Sequence, residues 1–137
     1  LHWGHDMSPA ENQYQAGLNF TISYKKNIDF IGKQSLLKIK DNKQNKNMMM
    51  FLLKDNKPGF PLLLHDEPIY LKNKIIGYTT SSNFSFNFNK NIAFGYVNSG
   101  NLKEDLIGKD IYIEIEKVKY AADVLLKPLN SKDYKTA

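Results

Sequence analysis

Two histidines, His2 and His5, stand three apart at the start of the chain, with Asp6 next to the second, and the pair could share a metal ion. A shared metal would need His2 and His5 on one helical face. Gly4 between them works against a helix, and no third ligand follows nearby. The plainer reading is that His5 and Asp6 hydrogen-bond their loop into shape. Carboxylates at Glu104, Asp105, Glu114 and Glu116 have the chemistry of general acids and bases. Their neighbours are lysines, and nothing in the spacing sets a pair across a cleft. Phe84, Phe86 and Phe88 alternate with Ser85, Asn87 and Asn89. Exposed, such a row could stack nucleobases; an inward-facing barrel strand accounts for the same alternation and is the preferred reading.

The basic residues set a second constraint. All 19 of the Lys and Arg positions are lysine. A site for carboxylate or phosphate must therefore use ammonium point charges, without the two-pronged fork of a guanidinium. The net charge of +5 would favour a polyanion. The lysines are nevertheless scattered from Lys25 to Lys135, as on a solvated surface, so nucleic acid is not the expected partner. The sequence holds no cysteine, which excludes disulfides, thiolate catalysis and cysteine-ligated zinc. That composition suits a reducing compartment, and a cytoplasmic location is expected. The apolar runs at 48–53 and 60–64 are too short to cross a bilayer as helices, and no signal-peptide pattern opens the chain, so no membrane role is expected.

The elements that must position these residues fall into two stretches. Ser8-Pro-Ala-Glu11 has the spacing of a capping box and predicts a short helical turn, cut off by Gly17. Leu18, Phe20 and Ile22 alternate with polar residues and predict a strand. Leu36, Leu37 and Ile39 among polar neighbours predict a short amphipathic helix over 33–40, ending in the polar stretch 41–47. Beyond it the pattern is strand: Met48–Lys54, a hairpin of 68–71 with 75–80 across Lys72-Asn-Lys74, Ile92–Val97, and Ile111–Ile115 reversing near Lys117. The expected fold is α+β and mainly β, a short α/β segment followed by a small antiparallel Greek-key-type barrel. The boundary is placed after residue 46, giving units 1–46 and 47–137.

Several motifs recur together. Gly4-His-Asp6, Ala16-Gly-Leu18, Asp29-Phe-Ile-Gly32 with Lys33, then Gly77, Thr80-Ser81, Ser85, Ala93 and Gly95-Tyr-Val97 follow one order over about a hundred residues. In that order and approximate spacing the chain resembles the C-terminal part of the glycine-cleavage T-protein (aminomethyltransferase) family. Trp3-Gly-His-Asp6 resembles the branch formed by the folate-binding halves of dimethylglycine and sarcosine dehydrogenases. Units 1–46 and 47–137 then correspond to the end of the central folate-binding domain and to the C-terminal barrel.

The resemblance implies a lobed ring around tetrahydrofolate and transfer of a one-carbon unit from a methylated or aminomethyl amine. It implies FAD in a separate upstream domain of a dehydrogenase-type parent, and other domains of that parent as partners. The key aspartate of the family lies in an N-terminal lobe, so no catalytic residue is assigned here. Because the sequence opens with Leu1 inside a motif, it reads as a fragment expected to be inactive alone. Two folate contacts carry over: Lys26, with Lys25 as the second choice, where the family has arginine, and Tyr134. Trp3 is added as a residue that could stack beside the folate, against the reading of a core anchor. The family's Glu-Ala-Gly-Leu is Gln15-Ala-Gly-Leu18 here, its Thr-Ser-Gly is Thr80-Ser-Ser82, and its Ser-Pro is Ser85-Phe86. The rivals are an assembly module that has lost folate and a single-stranded nucleic-acid binder.

Overall fold

A computed structural model describes residues 1–26, 28–98 and 106–125. Its centre is a closed barrel of β1 (Lys46–Leu53), β2 (Pro68–Leu71), β3 (Lys74–Ser85), β4 (Lys90–Asn98), β5 (Ile111–Ile115) and β6 (Val118–Leu125). Around the barrel the order is β1-β4-β3-β2-β5-β6, and every pairing is antiparallel. The meander β2-β3-β4 meets β1 on its far side, which is the Greek-key arrangement. Pairing of β1 with both β4 and β6 closes the sheet, so none of the six strands described is an edge.

The interior is filled by alternate residues. Met49, Phe51 and Leu53 of β1 and Ile111, Ile113 and Ile115 of β5 are buried, with Ile69, Val97 and Ala122 between them. Met48 alternates with Met49 yet is also buried, and its amide donates to the Gln15 carbonyl at 2.8 Å. That bond brings the N-terminal turns across one end of β1. Two hairpins turn where expected. Lys72 joins β2 to β3 with φ 56°, and Glu116 and Lys117 reverse β5 into β6 at φ 50° and 65°.

Two close approaches hold β3 against β4. A Cβ on Gly77 would lie 1.8 Å from the Tyr96 carbonyl oxygen, and one on Gly95 would lie 2.7 Å from that of Tyr78. The register shifts between Thr79 and Ser81, so that Thr80 is an extra residue in β3, a β-bulge. Ser82 keeps a strand conformation outside the positive-φ region, so serine is tolerated where the family has glycine. Its hydroxyl donates to the carbonyls of Leu63 and Leu64.

The described residues of 1–45 carry little regular structure: one 3-10 turn at Asn19–Thr21 and one helix, α1, at Lys33–Ile39, started by Gly32 at φ 88°. The expected strand at Leu18–Ile22 does not form. A strand needs a neighbour for its amides; here Thr21 and Ile22 donate instead to Leu18 and Asn19. The Ser8–Glu11 capping pattern is made, with the Ser8 amide and hydroxyl both on Glu11 Oε2, but turns follow it and no helix. Among the described residues no helix is long and apolar enough to cross a membrane.

Candidate functional site

The Gly4-His-Asp6 and Thr80-Ser81 motifs meet. Asp6 is 2% exposed, and its Oδ1 accepts from Thr80 Oγ1 and Ser81 Oγ, each at 2.6 Å. The bulge makes this possible: in a regular strand, consecutive side chains point to opposite faces, whereas the extra residue turns both hydroxyls to one carboxylate. Asp6 Oδ2 accepts from the His2 amide at 2.6 Å, the Asp6 amide donates to the His2 carbonyl, and Gly4 donates to Met7. Residues 2–7 thus form a tight ring pinned to β3. Burial alone would raise the Asp6 carboxyl; the Ser81 and Thr80 hydroxyls and the His2 amide outweigh it and hold the group below its ordinary range.

A second polar node lies beside the first. Lys46 Nζ donates to Glu11 Oε1 at 2.5 Å and sits 4.8 Å from the centre of the Tyr96 ring. The Lys46 hydrogen bond, with those from Ser8, keeps Glu11 below the ordinary glutamate range. The Tyr96 hydroxyl is buried and makes no hydrogen bond to the described residues. Burial, with Glu11 and Asp6 nearby, pushes it up to about 12. Gln15, where the family has glutamate, needs no charge: its Nε2 donates to Asn45 and its Oε1 accepts from the Asn12 amide.

Two hollows open on this N-terminal region. One of about 300 Å³ is lined by Trp3, Met7, Glu11, Asn12, Gln13 and Thr21 among others. The other, of about 450 Å³, is lined by Gln13, Thr21, Lys26, Ile28, Phe30 and Leu36 among others. Gln13 and Thr21 belong to both, so the hollows adjoin. Trp3 is 62% exposed, which removes the core-anchor reading and leaves the indole free at the mouth of its hollow. Lys26 is exposed on the wall of the other, two residues after Tyr24, whose hydroxyl meets that of Tyr14 at 2.5 Å. Tyr134 lies outside the described residues.

Glu11 is the carboxylate on the Trp3 hollow, and Lys46 and Ser8 occupy it. The His2 and His5 rings meet edge to face with centres 4.8 Å apart, and His65 lies 6.2 Å from His5. Sequence spacing gave no sign of His65 joining them. Among the described residues no three His, Asp or Glu side chains are placed to hold a metal ion. Glu67, near Glu116 and Glu114, is raised chiefly by burial and then by their charge. Glu104 and Asp105 lie outside the described residues.

The phenylalanine row does not face inward as expected. β3 ends at Ser85, so Phe86 falls in the hairpin turn and is 83% exposed, while Phe84 meets it edge to face at 5.2 Å and is half-buried. Alternation ran past the strand end into the turn, where it no longer selects a face.

Residues 46–130 match the family model of the glycine cleavage T-protein C-terminal barrel domain. Dimethylglycine dehydrogenase, mitochondrial, of Mus musculus is 32% identical over 129 residues, covering 93% of this chain and 14% of that protein. Aminomethyltransferase of Alkaliphilus metalliredigens (strain QYMF) is 28% identical over 133 residues, covering 97% of this chain and 34% of the relative. The chain thus spans a minor part of each curated relative named. The crystal structure of glycine cleavage system aminomethyltransferase T from Bartonella henselae superimposes with TM-score 0.77 at 19% identity, over 99% of this chain and 37% of that one, a likeness of fold. With its closed six-strand barrel and the Gly77, Gly95 and Thr80-Ser81 positions that shape it, the chain belongs to the glycine cleavage T-protein C-terminal barrel family.

Proposed function

We propose that this chain supplies part of a folate-binding wall and the C-terminal barrel of a protein that transfers a one-carbon unit from a methylated or aminomethyl amine to tetrahydrofolate. The observation that carries the reading is the pair of adjoining hollows, joined at Gln13 and Thr21, with Trp3 on one and Lys26 on the other. Reduced folate is a flat bicyclic ring, a benzoyl spacer and an anionic glutamate. The exposed indole offers a face for the ring. Ile28, Phe30 and Leu36 match the spacer, and the Lys26 ammonium matches a carboxylate. Lysine gives a single charged contact where an arginine would give two, so binding is weaker than with a guanidinium.

Folate, when bound, supplies the nitrogen that accepts the one-carbon unit. The residues of this chain bind and orient it. None is assigned a charge-stabilising or proton-moving role, and Glu11 is engaged by Lys46. FAD belongs, in this reading, to a separate upstream domain that oxidises the amine. Phe20 and Leu37 are exposed on the N-terminal region, apolar positions outside the hollows that other domains of one parent chain would cover.

Calorimetric titration of the longer polypeptide with tetrahydrofolate tests the reading. Lys26→Ala and Tyr134→Phe are each expected to weaken binding by about five- to tenfold, the loss of one hydrogen bond to a charged or polar ligand group. Unchanged affinity in both would sink these assignments. Absence of binding at high micromolar ligand would favour the assembly-module reading.

A further inference from the structure

We propose that Asp6 and the bulge pair Thr80–Ser81 are positioning residues for Trp3, so that the barrel governs the cleft wall through one buried carboxylate. The inference concerns Trp3 as an element of the folate site and in that respect rests on the function proposed above; the positioning itself is independent of ligand.

The path is short and fully bonded. Thr80 and Ser81 donate from β3 to Asp6 Oδ1, and Asp6 Oδ2 accepts from the His2 amide directly before Trp3. On the other side of Trp3, the Gly4 amide donates to the Met7 carbonyl, and Trp3 and Met7 form an isolated parallel bridge. Among the described residues, each backbone hydrogen bond of the loop closes on the loop itself or on Asp6. There the hydrogen bonds of the Asp6 side chain tie it to β3, beside the edge-to-face contact of His5 with His65. The indole, by contrast, is mostly exposed and has little packing of its own to fix it. An aromatic side chain serves as a preformed wall only if its backbone is ordered before ligand arrives. The carboxylate is suited to this because both oxygens are needed: one takes two hydroxyls, the other an amide. An asparagine would turn an N–H₂ toward donors on one side or the other.

Trp3 is the one tryptophan of the 137-residue chain, so its indole N–H gives a single signal in a ¹⁵N-labelled sample. The ligand-free chain is compared with Asp6→Asn, with Thr80→Val/Ser81→Ala, and with Thr80→Ser, which keeps the hydroxyl. A hairpin-tip variant, Phe86→Ser, is the control. We expect the indole signal to shift and its ¹⁵N heteronuclear NOE to fall in the first two, and to stay near wild type in Thr80→Ser and Phe86→Ser. Methyl signals of Ile113 and Val97 report that the barrel is intact. If a variant loses those, Ser81→Ala alone is expected to give a smaller shift of the same direction. An unmoved indole in every latch variant with an intact barrel overturns the proposal. An indole NOE in the wild type already at the unfolded level overturns it equally. A chain that shows the expected indole changes but whose parent binds no tetrahydrofolate retains the positioning and loses the folate reading.

Discussion

The Ser81 hydroxyl donates to the Asp6 carboxylate at 2.6 Å across 75 residues of sequence. This contact joins two motifs that the sequence shows only as separate short strings. It makes both of them elements of one joint between the N-terminal turns and the barrel. Glu11 with Lys46 and the Gln15 carbonyl with the Met48 amide complete that joint.

Asp6→Ala should be costly. It strips the partner from two hydroxyls and an amide around a buried position, and losses of this kind run to about 3 kcal/mol. Urea unfolding of the variant against wild type measures it. A change below about 1 kcal/mol would mean that the joint contributes little to folding.

The same carboxylate sets an acid limb. Asp6 and Glu11 are both held below their ordinary ranges in the fold. Each therefore contributes stability that is present above its unfolded pKa and lost as pH falls through the lower folded value. The contribution of these two groups should be constant near neutrality and lost below about pH 4.5, the unfolded glutamate range, while Glu67, raised in the fold, acts with the opposite sign. Asp6→Asn/Glu11→Gln should be less stable at pH 7 and show a shallower decline in acid. Parallel acid limbs in the two proteins would contradict this.

Gly77→Ala forces a Cβ into the Tyr96 carbonyl, where the atom would sit at 1.8 Å. Backbone cannot yield as a side chain can, so a loss of roughly 3 kcal/mol or more is expected from overpacking. Thermal unfolding reads it.

Tyr96→Phe should cost little. Its hydroxyl is desolvated and unbonded to the described residues, so removing it is expected to be neutral or to stabilise by up to about 1 kcal/mol. Ring stacking against Lys46 survives the change. A loss above about 1 kcal/mol would reveal a bonded partner for that oxygen.

Phe86→Ala tests the nucleic-acid rival. The exposed ring at the hairpin tip is the feature that reading needs. We expect no steeply salt-dependent affinity for a single-stranded oligonucleotide and no effect of the substitution. Tight binding that weakens strongly with salt and is lost in the variant would reverse this.

Much of the barrel was legible because its signals are local. Ile111, Ile113 and Ile115 alternate cleanly and are buried, and the turns at Lys72 and at Glu116-Lys117 lie between strands that their neighbours define. Leu18–Ile22 failed because alternation states only that one face could be covered, while a strand also requires a partner strand. Ser8–Glu11 failed in another way: the capping bonds are satisfied by a turn as readily as by a helix. Phe86 was lost to a strand end whose turn residues, Asn87 and Asn89 with Asn89 at φ 50°, count in the sequence only as the polar half of an alternation.

The site was legible only in part. Motif order singles out Lys26, and Trp3 stands out as a lone tryptophan, exposed or core; the structure puts each on the wall of a hollow, and the two hollows adjoin through Gln13 and Thr21, residues without any signal of their own. The bulge at Thr80 and the Asp6 contact depend on the register of β3 against β4. Register is a relation between distant segments, and it leaves no mark in either one alone.

The most direct test of the account is tetrahydrofolate affinity in the longer polypeptide bearing Trp3→Ala, Lys26→Ala or Phe86→Ala. Weaker binding in the first two and wild-type binding in the third are expected, because the first two line the joined hollows and the third does not. Wild-type affinity in both Trp3→Ala and Lys26→Ala would contradict it.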